Sequence, residues 1–120
     1  MSIDSETARQ YAAYLTQNTR NPYGVMQLML GTKMIVRGDD GIRFDLHRAK
    51  HRVTICELNY DAGEDLFELK FFRRGKSEWP GVPGDMEEYV SKPRLFFDDL
   101  KQVFEEFTGL SLTVPRVIFG

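Results

Sequence analysis

The chain has 120 residues, a formal net charge of −2, 42% hydrophobic residues and 28% charged residues. This size and composition are typical of one globular domain and exclude a chain that is disordered throughout. The acidic balance also argues against a protein that coats nucleic acid over its whole surface, since such proteins are usually basic. We expect a single α+β domain over residues 1–120.

The single cysteine and the N-terminus bear on the cellular compartment. Cys56 has no second cysteine with which to form an internal disulfide, which fits a reducing compartment. The segment MSIDSETARQ lacks the basic and apolar regions of a secretory signal. No stretch approaches the ~18 apolar residues of a membrane span. The sequence therefore predicts a cytoplasmic protein that does not cross a membrane.

Two helices are predicted before the first strand. The first follows Ser5, a suitable N-cap. It presents one apolar face, made by Ala8, Tyr11, Ala12 and Leu15. Asn21 and Pro22 form a good cap and first-position pair for a short second helix that ends at Gly31. A strand from Gly24 onward is the alternative, because short apolar runs do not distinguish the two structures.

Four strands joined by short turns are predicted next, because the hydrophobic period changes to two after residue 31. We expect them at Thr32–Arg37, Ile42–His47, Val53–Tyr60 and Leu66–Phe72. In the first of them, Met34 and Val36 share one face. The connecting segments GDDG, HRAKHR and DAGED have the composition of turns. Strands joined in this way form an antiparallel meander.

A loop and a long amphipathic helix are predicted for the rest of the chain. The segment RRGKSEWPGVPGDMEE contains three glycines and two prolines, which is typical of a loop. A helix can start at Pro93 and end at Gly109. Its apolar stripe is Phe96, Leu100, Val103, Phe104 and Phe107. The tail Leu110–Phe119 adds an edge strand, packs on the core or docks on a second subunit. We expect the helices to cover one face of a four-stranded antiparallel sheet.

The meander predicts that charges separate to opposite ends of the sheet. The first and third turns lie at one end, and the second turn and the exit from the fourth strand lie at the other. The acidic end collects Asp39, Asp40, Asp61, Glu64 and Asp65. The basic end collects Arg48, Lys50, Arg52, Arg73, Arg74 and Lys76. These six basic residues are a candidate site for nucleic acid or phosphate. The alternative is that HRAKHR is an ordinary solvated turn.

Few residues suggest catalysis or metal binding. His47 and His51 are four residues apart, which suits metal binding from a helix rather than from a turn. Cys56 lies inside a predicted strand, where burial raises a thiol pKa. Glu57 and Glu68 lie on neighbouring strands and form a carboxylate pair only if the register makes them face each other. We therefore predict a protein that is not an enzyme and has no metal or cofactor.

Contact with a protein partner is the function that the sequence favours. Trp79 and Tyr89 lie on or near the long loop, and Val117 and Phe119 lie in the apolar tail. Aromatic residues of this kind are common hot spots of protein interfaces, and the tail suggests a homodimer. The alternative for Trp79 is that it folds back over the sheet edge as an anchor of the loop.

The segments LFELKFFRRGK and FFDDLKQVFEEFTGLSL give a resemblance over the second half of the chain. The chain resembles small bacteriophage and prophage proteins in which such a strand leads to a helix ending in xxFExxTGL. The insert SEWPGVPGDMEEYVSKPR departs from that pattern. The resemblance implies a phage-like context, in which small non-enzymatic proteins bind host factors or one another. It carries no functional residues, because the family has no assigned activity.

Overall fold

The computed structural model describes residues 5–38, 40–75, 77–82 and 84–113. It is an α+β fold in which helices α1, α2 and α3 accompany an antiparallel sheet of strands β1 to β5 that lie side by side in chain order. The helices are α1 (Ser5–Thr16), α2 (Pro22–Leu30) and α3 (Leu100–Thr108). The strands are β1 (Ile35–Arg37), β2 (Gly41–Asp45), β3 (Ile55–Asp61), β4 (Leu66–Arg74) and β5 (Met86–Leu95). Within the described ranges, no helix is long and apolar enough to cross a membrane.

The core lies between one face of the sheet and the helices. This core face carries buried residues at Ile42, Phe44, Cys56, Leu58, Leu69 and Phe71. The helices complete the core with Ala8, Ala12, Leu15, Met26, Leu30, Leu100 and Phe104. The opposite face, which we call the open face, carries half-buried charged residues such as Arg43, Glu57 and Lys70. Strict alternation in the central strands therefore explains why helices cover one face alone. Burial raises the pKa of the Cys56 thiol, and the nearby Glu57 charge raises it further.

The end signals of α2 are confirmed. The Asn21 side chain accepts a hydrogen bond from the Gly24 amide at 3.1 Å, and Pro22 occupies the first turn, where its missing N–H costs nothing. Gly31 follows the helix with a left-handed φ of 66°, and its amide bonds to Gln27 O. The alternative of a strand from Gly24 onward is wrong.

The first strand is shorter than Thr32–Arg37, the range predicted from the sequence. The Asp45 carboxylate accepts hydrogen bonds from the amides of Lys33 and Met34, each at 3.0 Å, so strand pairing begins only at Ile35. Burial alone would raise the pKa of Asp45. The hydrogen bonds from Met34 and Lys33, together with one from His47, hold it below its usual value. Met34 is exposed, and Val36 lies opposite Arg43 on the open face.

A fifth strand, β5, corrects the prediction of four strands. It pairs with β4 along Met86–Leu95, so the end of the predicted loop and the start of the predicted long helix are both extended chain. Its exposed, charged sequence hides the alternation that reveals a half-buried strand. Between the pairs Leu69↔Lys92 and Phe67↔Leu95, β5 has one residue more than β4. This bulge holds Pro93, and a sheet tolerates proline at bulges and on edge strands such as β5.

The C-terminal helix is correspondingly short. It spans Leu100–Thr108 and ends at Gly109 in a left-handed conformation, as predicted, but it does not start at Pro93. Phe96 lies in the turn before the helix and is exposed, so only the later part of the predicted stripe packs on the core. Beyond the helix, Leu112 is buried, so the first part of the tail packs on the core. Residues 114–120 lie outside the described part.

Candidate functional site

The predicted basic end forms around the connection between β2 and β3. Arg48, His51 and Arg52 adopt positive φ angles of 59°, 63° and 61°, so HRAKHR is a tightly wound segment rather than a simple turn. Residues other than glycine adopt this conformation at a cost. The segment is held by α3, because the His51 ring stacks on Phe107 with 4.5 Å between ring centroids. Arg73 donates a hydrogen bond to His51 O at 3.3 Å, which brings the two arginine-bearing segments together as predicted.

Three of the six predicted phosphate ligands have structural contacts instead. The Lys50 side chain lies against Gly109, where its charge suits the C-terminal end of α3. The Arg73 guanidinium lies 4.0 Å from the centroid of the Tyr89 ring. Arg74 donates to Gly84 O at 2.7 Å. Lys76 lies outside the described residues. Of the predicted set, Arg48 and Arg52 remain as exposed cations with no recorded ion pair among the described residues.

The fifth strand weakens the predicted separation of charge. Because β5 runs antiparallel to β4, its acidic start lies at the basic end, where Glu87 is opposite Arg73 and Glu88 is opposite Phe72. The last residues of β5 lie at the acidic end of the sheet, where Arg94 pairs with Glu64 at 3.7 Å. Each end thus receives charges of the other sign from a strand that the sequence did not reveal.

Trp79 is the most exposed aromatic residue of the predicted partner site. Its side chain is 70% exposed in the loop between β4 and β5, so it does not fold back over the sheet edge. Ser77 Oγ accepts from the Trp79 amide at 3.1 Å, and the Val82 amide donates to Trp79 O at 3.2 Å, so the loop backbone is ordered around it. Val82 is also exposed. These two side chains form the loop patch, an apolar surface at the tip of an anchored loop.

Tyr89, another predicted partner residue, lies away from this patch. Tyr89 is the extra residue of a second bulge in β5, and its ring lies 5.9 Å from His51 and 6.4 Å from Phe107. It is 40% exposed at the edge of the core. Val117 and Phe119 lie outside the described residues.

The register separates the two glutamates that were considered as a catalytic pair. Glu57 lies opposite Lys70, and Glu68 lies opposite Asn59. Glu57 pairs with Arg43 at 3.7 Å. Glu68 accepts a hydrogen bond from Ser91 at 2.6 Å. The two carboxylates therefore do not face each other, and each already has a partner on the open face.

The histidines are also apart. His47 bonds to the Asp45 carboxylate at 2.8 Å, whereas His51 stacks on α3. In the part of the chain that the structure describes, no group of three His, Cys, Asp or Glu side chains is placed to hold a metal ion.

A second site, which sequence reasoning missed, lies at the acidic end on the helical side. It is a groove of about 500 Å³ between α1, the β3–β4 turn and the turn before α3. We call it the aromatic groove. Its rings are Tyr11, Tyr14, Tyr60, Phe67, Phe96 and Phe97. Phe67 contacts Tyr11 and Tyr14 edge to face at 5.8 and 5.6 Å, which fixes the floor of the groove. Phe96 and Phe97 are 61% and 59% exposed and form its outer wall.

Carboxylates surround the phenol groups of this groove. Glu64 and Asp65 line it, and Tyr60 Oη donates a hydrogen bond to Asp65 Oδ1 at 2.5 Å. This bond raises the pKa of Tyr60, with smaller contributions from burial and the Asp65 charge. Burial raises the pKa of Tyr11, and the negative charge of Asp40 raises it further. The groove is therefore a negatively charged site with aromatic walls.

We expect the substitution Asp65→Asn to lower the pKa of Tyr60 toward its usual value, because an amide removes the charge that favours the protonated phenol. Asparagine tolerates the positive φ of 57° at this position. The raised pKa stabilises the fold below about pH 10, and this contribution is lost as the pH rises through the folded-state value. Titration of tyrosinate absorbance checks this, with Tyr60→Phe to assign the transition. An unchanged titration in Asp65→Asn would show that the Asp65 carboxylate does not raise the pKa of Tyr60.

Comparison with protein-family models, curated proteins and solved structures finds no significant match to this chain. The fold and its surfaces therefore define the molecule only as a small α+β domain. Its described surface carries an exposed tryptophan loop at one end of the sheet and the aromatic groove at the other.

Proposed function

We propose that this protein is a non-enzymatic binding protein that contacts a protein partner through the loop patch, Trp79 and Val82. The observation that carries the proposal is the 70% exposure of Trp79 on a loop whose backbone is hydrogen-bonded in place. An exposed tryptophan on an ordered loop provides a large apolar surface at little cost in conformational entropy.

The surroundings of the patch support this proposal. Pro80 and Gly81 turn the chain beside the tryptophan, and Ser77 Oγ both accepts from the Trp79 amide and donates to its carbonyl at 3.0 Å. The backbone that carries Trp79 therefore need not be ordered at the moment of binding, which reduces the entropic cost of the complex. Resemblance to small phage proteins supports a phage or prophage context, with a host factor or a second copy as partner.

Trp79→Ala is expected to weaken partner binding by about 2 kcal/mol, or roughly 30-fold, as at an interface hot spot. Because the side chain is exposed, we expect stability to change by less than about 0.5 kcal/mol. A photo-crosslinking residue at position 82 would identify the partner, and titration of the purified partner would measure the loss.

Leu28→Ala is the matched control, since Leu28 is an exposed apolar residue on α2 rather than on the loop. It should bind like the wild-type protein. Light scattering at several concentrations tests whether the partner is a second copy. A monomeric protein whose captured proteins are the same for wild type and Trp79→Ala would refute the proposal.

Nucleic-acid or phosphate binding through the basic end is the second candidate function. The observation that favours it is the contact of Arg73 with His51 O, which unites the two arginine-bearing segments. Arg48 and Arg52 are the residues to test, because Arg73 and Arg74 have contacts within the chain. Asparagine tolerates the positive φ angles at both positions.

If this second function holds, the double variant Arg48→Asn and Arg52→Asn loses two phosphate contacts. The slope of log K against log salt for single-stranded nucleic acid should then become shallower by about 1.4. Filter binding across salt concentrations measures this slope. Equal slopes for wild type and variant would exclude the basic end as the binding surface.

A further inference from the structure

We propose that the aromatic groove binds an arginine or lysine side chain on an extended basic segment of a protein partner. The inference starts from the outer wall. Phe96 and Phe97 are adjacent phenylalanines in the turn before α3, and both keep more than half of their surface exposed. Two neighbouring rings in water are unfavourable for an isolated domain, so a ligand that covers them gains the free energy of their burial.

The chemistry of the groove selects a cation rather than an apolar ligand. Aromatic faces attract ammonium and guanidinium groups, and the attraction strengthens when a carboxylate is close. Glu64 and Asp65 provide carboxylates directly at the rings. No lysine or arginine is among the described residues that line the groove, although Arg94 of β5 pairs with Glu64 at its rim. An anionic ligand would be repelled by the same groups.

Arg94 is a cation that the described part of the chain places at this rim, and it is weakly held. Arg94 Nε lies 3.7 Å from Glu64 Oε2, and the Arg94 side chain is largely exposed while that of Glu64 is about half exposed. Exposed pairs of this kind contribute little to stability. A guanidinium or ammonium group of a partner can therefore replace Arg94 at Glu64 without breaking a strong internal contact.

The surroundings favour an extended basic segment over a single small cation. Tyr11 and Tyr60 also line a second groove, on the open-face side, of about 670 Å³. That groove carries the carboxylates of Asp40, Glu57, Asp61 and Glu68 together with one lysine, Lys70. A chain that places one basic side chain between the rings therefore reaches further negative charge with its neighbouring residues. The negatively charged surface therefore extends over both grooves, further than one side chain can cover.

This inference is independent of the loop patch. Trp79 lies in the loop that enters β5, whereas Phe96 and Phe97 follow the end of β5, so the two surfaces are at opposite ends of that strand. A result that refutes binding at one surface therefore does not bear on the proposal for the other. Trp79, the only tryptophan of the chain, reports on the loop patch by fluorescence and not on the groove.

The experiment uses two capped peptides, one of alternating arginine and alanine and one of alternating glutamate and alanine. Isothermal titration and two-dimensional NMR of the full chain measure binding. We expect the arginine peptide to bind and to shift signals of residues 96 and 97, and the glutamate peptide not to bind. Raising the salt from low to physiological strength should weaken binding severalfold, because part of the attraction is electrostatic.

Two sets of variants test the two halves of the site. The pair Phe96→Ala and Phe97→Ala removes the wall, and the pair Glu64→Gln and Asp65→Asn removes charge. Each pair should weaken binding of the arginine peptide by about tenfold or more, through lost cation–π contacts for the phenylalanine pair and lost charge-assisted contacts for the carboxylate pair. Both sets change exposed residues, and thermal melting confirms that they fold. Leu28→Ala is the control and should bind the peptide like wild type.

Three results would overturn the proposal. The first is equal binding of the arginine and glutamate peptides. The second is a peptide affinity that neither pair of variants changes. The third is self-association of the wild-type chain that Phe96→Ala and Phe97→Ala abolish, because this would assign the groove to a second copy.

Discussion

Phe104→Ala is expected to destabilise the fold by about 3–5 kcal/mol, the range for removing a buried aromatic ring. Phe104 is buried on the inner side of α3, and its ring lies 6.1 Å from Phe44 and 6.3 Å from Phe71. The ring therefore joins the helix to two strands of the sheet. Its loss leaves a cavity at the centre of the core, where rigid neighbours limit collapse.

Urea denaturation measures this effect, and Phe97→Ala is the matched control. Phe97 is an exposed phenylalanine, so its loss should cost less than about 1 kcal/mol. Since domains of this size are stable by only about 5–15 kcal/mol, Phe104→Ala will be close to unfolding. Phe104→Leu should then remain folded with a smaller loss. Similar stabilities for the two alanine variants would contradict the placement of Phe104.

Gly41→Ala is expected to disrupt the pairing of β2 with β3 and to cost more than about 4 kcal/mol. A Cβ atom at Gly41 would overlap the carbonyl oxygen of Leu58 and lie 2.9 Å from Cα of Asn59. These atoms belong to the backbone of a paired strand, so no side-chain rotation relieves the overlap. A glycine at this position allows the close approach of two strands.

Gly38→Ala is the control for this effect because it changes the same turn. The nearest atom to a Cβ at Gly38 is Gly41 O at 3.6 Å, an ordinary contact. We expect Gly38→Ala to melt close to the wild-type temperature, whereas Gly41→Ala yields little folded protein. Circular dichroism melting curves compare the two. A stable, well-folded Gly41→Ala variant would show that the strands pair in another way.

Much of the fold could be predicted because local patterns agreed with it. The alternation of Ile42 and Phe44 with Arg43 is strict, since one side of β2 meets the core and the other does not. The Asn21 cap and the glycine after α2 depend only on backbone geometry within a few residues. Such signals are local, so they can be recognised without knowledge of the rest of the chain.

The edge strand could not be predicted in this way. Strand β5 has few buried side chains, includes Pro93 at a bulge, and is held chiefly by its backbone pairing with β4. Backbone hydrogen bonds can be made by all residues except proline, which lacks the N–H donor. They therefore select no particular side chains, and no sequence pattern indicates them. Assigning Met86–Leu95 to loop and helix also placed Phe96 in the helical stripe, and so concealed the exposed wall of the aromatic groove.

The functional surfaces also differ in whether the sequence predicted them. The approach of Arg73 to the connection between β2 and β3 follows from an antiparallel meander alone, and it was predicted. The aromatic groove was not, because its rings come from α1, β3, β4 and the turn before α3. No spacing along the chain relates Tyr11 to Tyr60 or Phe97.

The sequence by itself determined that the chain builds helices on one side of an antiparallel sheet, because apolar periodicity records which side of each element avoids water. Only the tertiary structure decided which charges stay unbalanced and which rings stay exposed. Glu87 came to lie opposite Arg73, and the Phe97 ring came to lie 5.8 Å from the Tyr14 ring at the rim of one groove. Both outcomes depend on contacts between segments that are distant in the chain. The free energy of such a contact cannot be read from the sequence of either segment alone.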